Sequence, residues 1–214
     1  MKYLFLILFI LFTTFHLYAS YNKKTTLRAR TKPFILLSLL GFYVYSTKSI
    51  DVFLVLALIF SWIGDLFLIL KGIKWFSVGG ISFMISHIFF ILCYSKEINF
   101  ESINMVAAFV IATVFIVFVY QIFVRLKPYL SKALFYPMFL YLLINGTMNM
   151  YAIFRLMGNV NIYTITTCIG AILFFISDTA LFFVRFNKNS ILKTHFIVML
   201  TYSLGEFLIV LGLI

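Results

Sequence analysis

The chain has 214 residues, 64% of them hydrophobic and 11% charged, with a mean hydropathy of +1.12. Soluble domains carry roughly 25% charged residues, so the composition excludes an ordinary soluble domain and describes a polytopic membrane protein. The formal net charge of +11 needs no nucleic-acid partner once its distribution is read, because basic residues beside membrane spans are retained in the cytoplasm.

In chain order, apolar runs fall at 3–19, 33–47, 52–70, 75–94, 102–124, 133–154, 162–184 and 194–213. About 20 residues cross roughly 30 Å of hydrocarbon as a helix, so an all-α bundle of about eight transmembrane helices is expected. No gap between runs is longer than Ser20 to Lys32, which leaves no room for a water-soluble second domain. Residues 1–214 therefore read as one integral membrane domain.

The first run, with one Lys, an apolar core and small Ala19 and Ser20, has the features of a cleaved signal peptide. Cleavage would carry the basic gap at 20–32 outward, so a retained helix is expected. The second run is short and opens at Pro33, a residue accepted in a helix's first turn. The third contains FSWIGDLFLIL at 60–70, with Asp65 inside an otherwise apolar stretch, and the fourth holds His87. The sixth carries Asn145 and Asn149, at i and i+4 on one helix face. The seventh holds Ser177 and Asp178, and the eighth Tyr202 and Glu206. His16 and His195, near span ends, read as interfacial residues. Cys93 and Cys168 sit in apolar runs without CxxC spacing and read as packing residues.

Three of the six carboxylates thus lie in apolar segments. A charged residue at mid-helix costs about 2.5–3.5 kcal/mol on insertion scales and is a functional hypothesis by default. The bland alternative has Asp65 and Asp178 locking helices together through Lys32, Ser61, Ser177 or tyrosine hydroxyls. His87 alone reads equally well as a hydrogen-bonded interior histidine, and the two asparagines as helix glue.

Thirteen of the 17 basic residues fall in the gaps after spans one, three, five and seven. The opposite side holds Lys2, Lys48, Lys96 and Arg155, so both termini are expected on the non-cytoplasmic face. Pro33 and Pro137, Asp65 and Asp178, and His87 and Glu206 occupy related places in the two halves, which suggests a 4+4 internal repeat with both copies in one orientation. Asp65 lies six residues before Lys71 and Asp178 seven before Arg185, which puts both roughly 10 Å from the cytoplasmic ends of their helices. Lys32 can reach this level along its stem. A pocket open to the cytoplasm is expected, with Asp65 facing Asp178 and with His87, Asn145, Tyr202 and Glu206 deeper. Lys32, beside Pro33 at the pocket mouth, suits a lipid phosphate.

Six segments, TKP at 31–33, SWIGD at 61–65, FMISHIFF at 83–90, YPMFLY at 136–141, GAILFFISD at 170–178 and TYSLGEFLI at 201–209, together resemble the YhhN family of membrane proteins, which includes the animal lysoplasmalogenases. The resemblance runs from about residue 30 to the C-terminus. It implies an eight-helix hydrolase that cleaves the vinyl ether bond of lysoplasmalogens to a fatty aldehyde and a glycerophospho-base. One departure is Gly205-Glu206, where the family pattern leads to Ala-Gln; it adds an ionisable group to the pocket.

The inventory suits that chemistry. Vinyl ether hydrolysis needs a proton delivered to the β-carbon and a nearby anion or base for the oxocarbenium ion, work that two carboxylates in different surroundings perform in glycosidases. Asp65, Asp178 and His87 are the candidate catalytic residues. Lys32, Tyr202, Glu206, Asn145, Asn149 and Ser177 are the candidate substrate contacts. A zinc hydrolase needs three protein ligands, commonly His-rich, and only one histidine lies deep in a span, so no metal and no cofactor is expected. The expected partners are a lysophospholipid substrate and membrane lipids. The competing class is a proton- or cation-coupled transporter, or a lipid-binding protein, with Asp65, Asp178 and Glu206 as a relay.

Overall fold

The computed structural model describes residues 1–187 and 195–214. Among them eight α-helices follow one another: α1 Lys2–Tyr21, α2 Thr25–Ser46, α3 Val52–Ile69, α4 Ile73–Ser95, α5 Met105–Leu126, α6 Phe135–Gly158, α7 Ile162–Phe186 and α8 His195–Leu211. The helical membrane bundle expected from the apolar runs is the architecture observed. Lys188 and Lys193, counted in the basic gap after span seven, and the first residue of span eight lie outside the described residues.

Among the described residues five helices, α1, α3, α4, α5 (with the turn that follows it) and α7, are long and apolar enough to cross a membrane, and the described part of α8 is apolar. The other two, α2 and α6, carry the polar load of the interior. In α2, Thr31 and Ser38 are buried, and in α6 Asn145, Asn149 and Arg155 are. Helices whose polar side chains face protein instead of lipid lose the uniform hydropathy of a lipid-facing span.

The bundle is built from packed hairpins, α1 with α2, α3 with α4, and α7 with α8. Helix α6 joins them by packing on α4 and α7, while α8 closes the other side against α1. Helix α5 is peripheral, with Val119, Ile122 and Leu126 as its buried residues. The α7–α8 crossing is the closest. A Cβ on Gly170 would lie 2.7 Å from the Gly205 carbonyl oxygen, and one on Gly205 would lie 2.9 Å from that of Gly170. Backbones this near require glycine on both helices, which accounts for Gly170 and Gly205 at this crossing.

The second helix differs from expectation. It starts at Thr25, so Pro33 lies inside it, not in its first turn, and only Asn22 to Lys24 separate it from α1. Proline removes one backbone donor, the helical partner of the Ala29 carbonyl four residues earlier, and side-chain bonds to other carbonyls fasten the helix around it. Here Trp62 Nε1 donates to the Pro33 carbonyl at 2.9 Å, and the Thr31 hydroxyl donates to Leu27 O at 2.8 Å. The consequence is two further helical turns that carry basic residues. Arg28 and Lys32, at i and i+4, share the face that lines a cavity inside the bundle.

The two ends of the bundle are chemically unlike. At one end, α3, α5 and α7 begin with Asp51, Asn104 and Asn161, each accepting from backbone amides of its own first turn, as N-caps do. Lys96 Nζ lies 2.8 Å from Asp51 Oδ2. Partial burial would raise the Asp51 carboxyl, but Lys96 and the Phe53 amide outweigh it and hold the group below its usual range. Arg155, buried at this end, donates to Glu97 Oε2 at 2.8 Å, Thr167 Oγ1 at 2.7 Å and the Gly212 carbonyl at 2.9 Å, tying α6 to α7 and the C-terminus. The other end carries the basic turns of α2, Lys71, Lys74 and Arg185. Gly72, at φ +115°, makes the α3–α4 turn there, a conformation glycine alone adopts without strain.

Replacing Gly170 with Ala should lower stability by about 1–3 kcal/mol, because backbone must shift to admit the methyl group. A Cβ on Gly80 meets nothing within 4 Å, so Gly80→Ala should be neutral or slightly stabilising. Thermal unfolding of the two variants in detergent separates them, and equal midpoints would show that the α7–α8 contact is not constraining.

Candidate functional site

A small cavity lies toward the basic end and is lined by residues of α1, α2, α3, α4, α7 and α8. Its volume is about 100 Å³, room for a few water molecules at their share of about 30 Å³ in the liquid. Lys32, Asp65, Ser177, Asp178 and Tyr202 all line it. The sequence places the two aspartates at similar depth, and the fold brings both to this one space.

Their surroundings differ atom by atom. Asp65, 1% exposed, uses both oxygens: Lys32 Nζ lies 3.0 Å from Oδ1, and the Tyr202 hydroxyl donates to Oδ2 at 3.0 Å. Helices α2, α3 and α8 thus meet on one carboxylate. Around Asp178, the Tyr141 hydroxyl donates to Oδ2 at 2.5 Å and Asn145 Nδ2 donates to the same oxygen at 2.8 Å. Among the described residues no protein donor reaches Asp178 Oδ1, and no lysine or arginine pairs with this carboxyl. One aspartate is clamped through both oxygens with a cation; the other is held, among the described residues, through one oxygen alone.

The deeper residues support these two. Asn149 Nδ2 donates to Asn145 Oδ1 at 3.2 Å and to the Asn145 carbonyl at 3.0 Å. Because Asn145 accepts through Oδ1, its Nδ2 is the group left to point at Asp178. Asn145 and Asn149 are wholly buried and do not line the cavity. His87 is also fully buried, with Nε2 3.5 Å from Asp178 Oδ2, too far for a hydrogen bond, and its ring packs against Phe174 and Tyr141. It backs Asp178 from behind the cavity wall. Ser177 lines the cavity, but its hydroxyl donates to the Val198 carbonyl at 2.8 Å. Glu206 lies one turn beyond Tyr202 on α8, is 0% exposed and does not line the cavity. Ser61 and Ser86, on α3 and α4, share a hydrogen bond of 2.8 Å at full burial.

Four further residues line the cavity nearer the helix ends: His16, Arg28, Arg185 and His195. The interfacial reading of His16 is corrected here. His16 is 1% exposed and bonded to Thr31, because the extension of α2 past Pro33 packs against the end of α1. Arg28 and Arg185 look in the sequence like ordinary positive-inside residues. The one signal that could have separated Arg28 is its i, i+4 spacing to Lys32, which becomes visible only if α2 is continued through the proline. Among the described residues no three His, Cys, Asp or Glu side chains cluster closely enough to hold a metal ion.

These features define a polytopic helical membrane protein with a polar, carboxylate-bearing cavity enclosed by its helices. Residues 27–213 match the YhhN family, and the chain belongs to it. No curated protein and no solved structure matches the chain.

The Lys32–Asp65 pair can be tested as a unit. Lys32→Met leaves a buried carboxylate without its cation and should cost about 3–5 kcal/mol. Adding Asp65→Asn to that variant should recover most of the loss, as measured by thermal unfolding in detergent. Additive destabilisation by the two changes would show that the pair is not energetically coupled.

Proposed function

We propose that this protein is a membrane ether hydrolase that cleaves the vinyl ether bond of lysoplasmalogens, releasing a fatty aldehyde and a glycerophospho-base. The observation that carries the reading is the asymmetry of the two aspartates. Asp65, with a lysine on one oxygen and a tyrosine hydroxyl on the other, is suited to remain an anion. Asp178, with both donors on Oδ2, is suited to carry a proton on Oδ1. Membership of the YhhN family agrees with a hydrolase.

Asp178 gives its proton to the β-carbon of the vinyl ether, and the electron pair of the double bond forms the new C–H bond. The oxocarbenium ion left behind is stabilised by the Asp65 carboxylate across the cavity, as preorganised charge stabilises charge that develops in a transition state. Water adds to the cationic carbon and passes a proton to Asp178, which restores the acid. The resulting hemiacetal collapses as its hydroxyl proton moves to the ether oxygen, giving aldehyde and alcohol. Lys32 serves here by holding Asp65 ionised and placed. The phosphate contact then falls to Arg28 and Arg185, of which Arg28 Nε is buried without a partner among the described residues and Arg185 lies over the Phe76 ring. Guanidinium forks match phosphate oxygens. In this reading the basic end of the bundle faces the cytoplasm, by the positive-inside rule, and the cavity opens on that side.

Purified protein in detergent should release aldehyde from a 1-alkenyl lysophospholipid, whereas a coupled transporter would leave it intact. Asp178→Asn and Asp65→Asn should each lower kcat, measured per folded protein, by about 10²-fold or more. Near-normal turnover in both variants would remove the catalytic assignment. Arg185→Gln should raise KM for a phosphate-bearing substrate with kcat little changed, and Lys32→Met should lower kcat instead. The reverse pattern would return Lys32 to the phosphate.

A further inference from the structure

His16 belongs to the cavity wall, yet neither the aspartate chemistry nor the phosphate contact uses it. Its imidazole is 1% exposed. Nδ1 lies 3.0 Å from Thr31 Oγ1, and Nε2 is buried with no partner among the described residues. The Thr31 hydroxyl has one hydrogen, which it gives to the Leu27 carbonyl at 2.8 Å, the back-bond that threonine makes within helices. Thr31 must therefore accept from the ring, which assigns the hydrogen to His16 Nδ1 and leaves Nε2 with its lone pair. His16 shares the cavity wall with the donors Arg28 and Lys32, and an unpartnered acceptor on a residue of that wall is complementary to a ligand group that donates.

A lysoplasmalogen carries one such group close to the scissile bond: the free hydroxyl at C2 of its glycerol, on the carbon next to that bearing the vinyl ether. A diacyl-type lipid has an ester there and no donor. Lys32 links the two places, since it lines the same cavity as His16 and bonds Asp65. We propose that His16 Nε2 accepts a hydrogen bond from the free C2 hydroxyl of the lysolipid, and so is the residue that selects lysolipids over their fully acylated parents. The proposal rests on the lysolipid reading above. It adds a reason for selectivity that the aspartates cannot supply, because they act on the ether side alone. A lipid lacking the hydroxyl would leave the buried acceptor unsatisfied, and sites built to bond a hydroxyl discriminate strongly against analogues without it.

The test uses two saturated 1-O-alkyl phosphocholines that cannot be cleaved, one with the C2 hydroxyl and one with hydrogen in its place, bound to the full chain in detergent. Wild-type protein should bind the hydroxyl-bearing lipid about tenfold more tightly. His16→Phe, which keeps the bulk and removes the acceptor, should bring the ratio of the two dissociation constants close to one by weakening only the hydroxyl-bearing lipid. His16→Gln, whose amide oxygen reaches about as far as Nε2, should restore part of the ratio. A ratio near one in wild-type protein overturns the proposal, as does a ratio unchanged in His16→Phe. If the Phe variant does not fold, the wild-type ratio and the Gln variant decide. Because neither probe is cleaved, the outcome is independent of turnover. A preserved ratio without aldehyde release from the vinyl ether substrate would sink the hydrolase reading alone, and aldehyde release with a ratio near one would sink this one alone.

Discussion

A carboxylate inside a membrane bundle must find its donors within the protein, and much of this structure follows from that demand being made twice at one level. Burying a charge without a partner costs far more than a single hydrogen bond returns. Asp65 meets the demand by drawing Lys32 from α2 and Tyr202 from α8 onto α3. Asp178 meets it with Tyr141 and Asn145 from α6. The helices α2, α3, α6, α7 and α8 are thereby fixed around two carboxyl groups, and Lys32 and Asn145, among the polar residues that make α2 and α6 less apolar than their neighbours, serve them.

The same contacts make the two groups unequal. A cation and a hydroxyl on separate oxygens favour the ionised form of Asp65, whereas two donors on one oxygen leave Asp178 room for a proton on the other. An acid and an anion across one cavity are the minimum that oxocarbenium chemistry asks of a protein. The difference depends on α2 continuing through Pro33, since a helix that began at the proline would leave Arg28 and Thr31 in a loop and Lys32 at its edge. The Trp62 bond to the Pro33 carbonyl fastens that continuation to the helix that carries Asp65.

Hydropathy made the bundle legible because an apolar run near 20 residues fits a membrane span and little else, and Asp65, Asp178 and Tyr202 stood out as polar residues in such runs. The spacing to the next basic residue placed both aspartates at one depth, where they share a cavity. The start of α2 was not legible. Proline and five basic residues argue locally for a loop, and only tertiary contacts at Thr31 and Trp62 outweigh that. His16 and Arg28 were hidden with it, since each depends on the extra turns for its position. The division of labour behind the cavity, with Asn149 orienting Asn145 and His87 backing Asp178, follows from side-chain geometry that no spacing rule encodes. Gly205 was visible as a departure in the sequence, and its backbone contact with Gly170 appeared only in the packed helices.

The cavity has space for little more than a handful of waters, so on the hydrolase reading it can enclose the glycerol and the ether bond but not a hydrocarbon tail. The tail must then remain in the bilayer, threaded out between helices, with lipid as its solvent throughout the reaction. Recognition becomes a matter of the polar end alone, and tails of different length or unsaturation differ to this protein only in how they partition and how easily the helices part around them. The aldehyde formed inside would leave as it entered, sideways, already dissolved in the phase where it is most soluble.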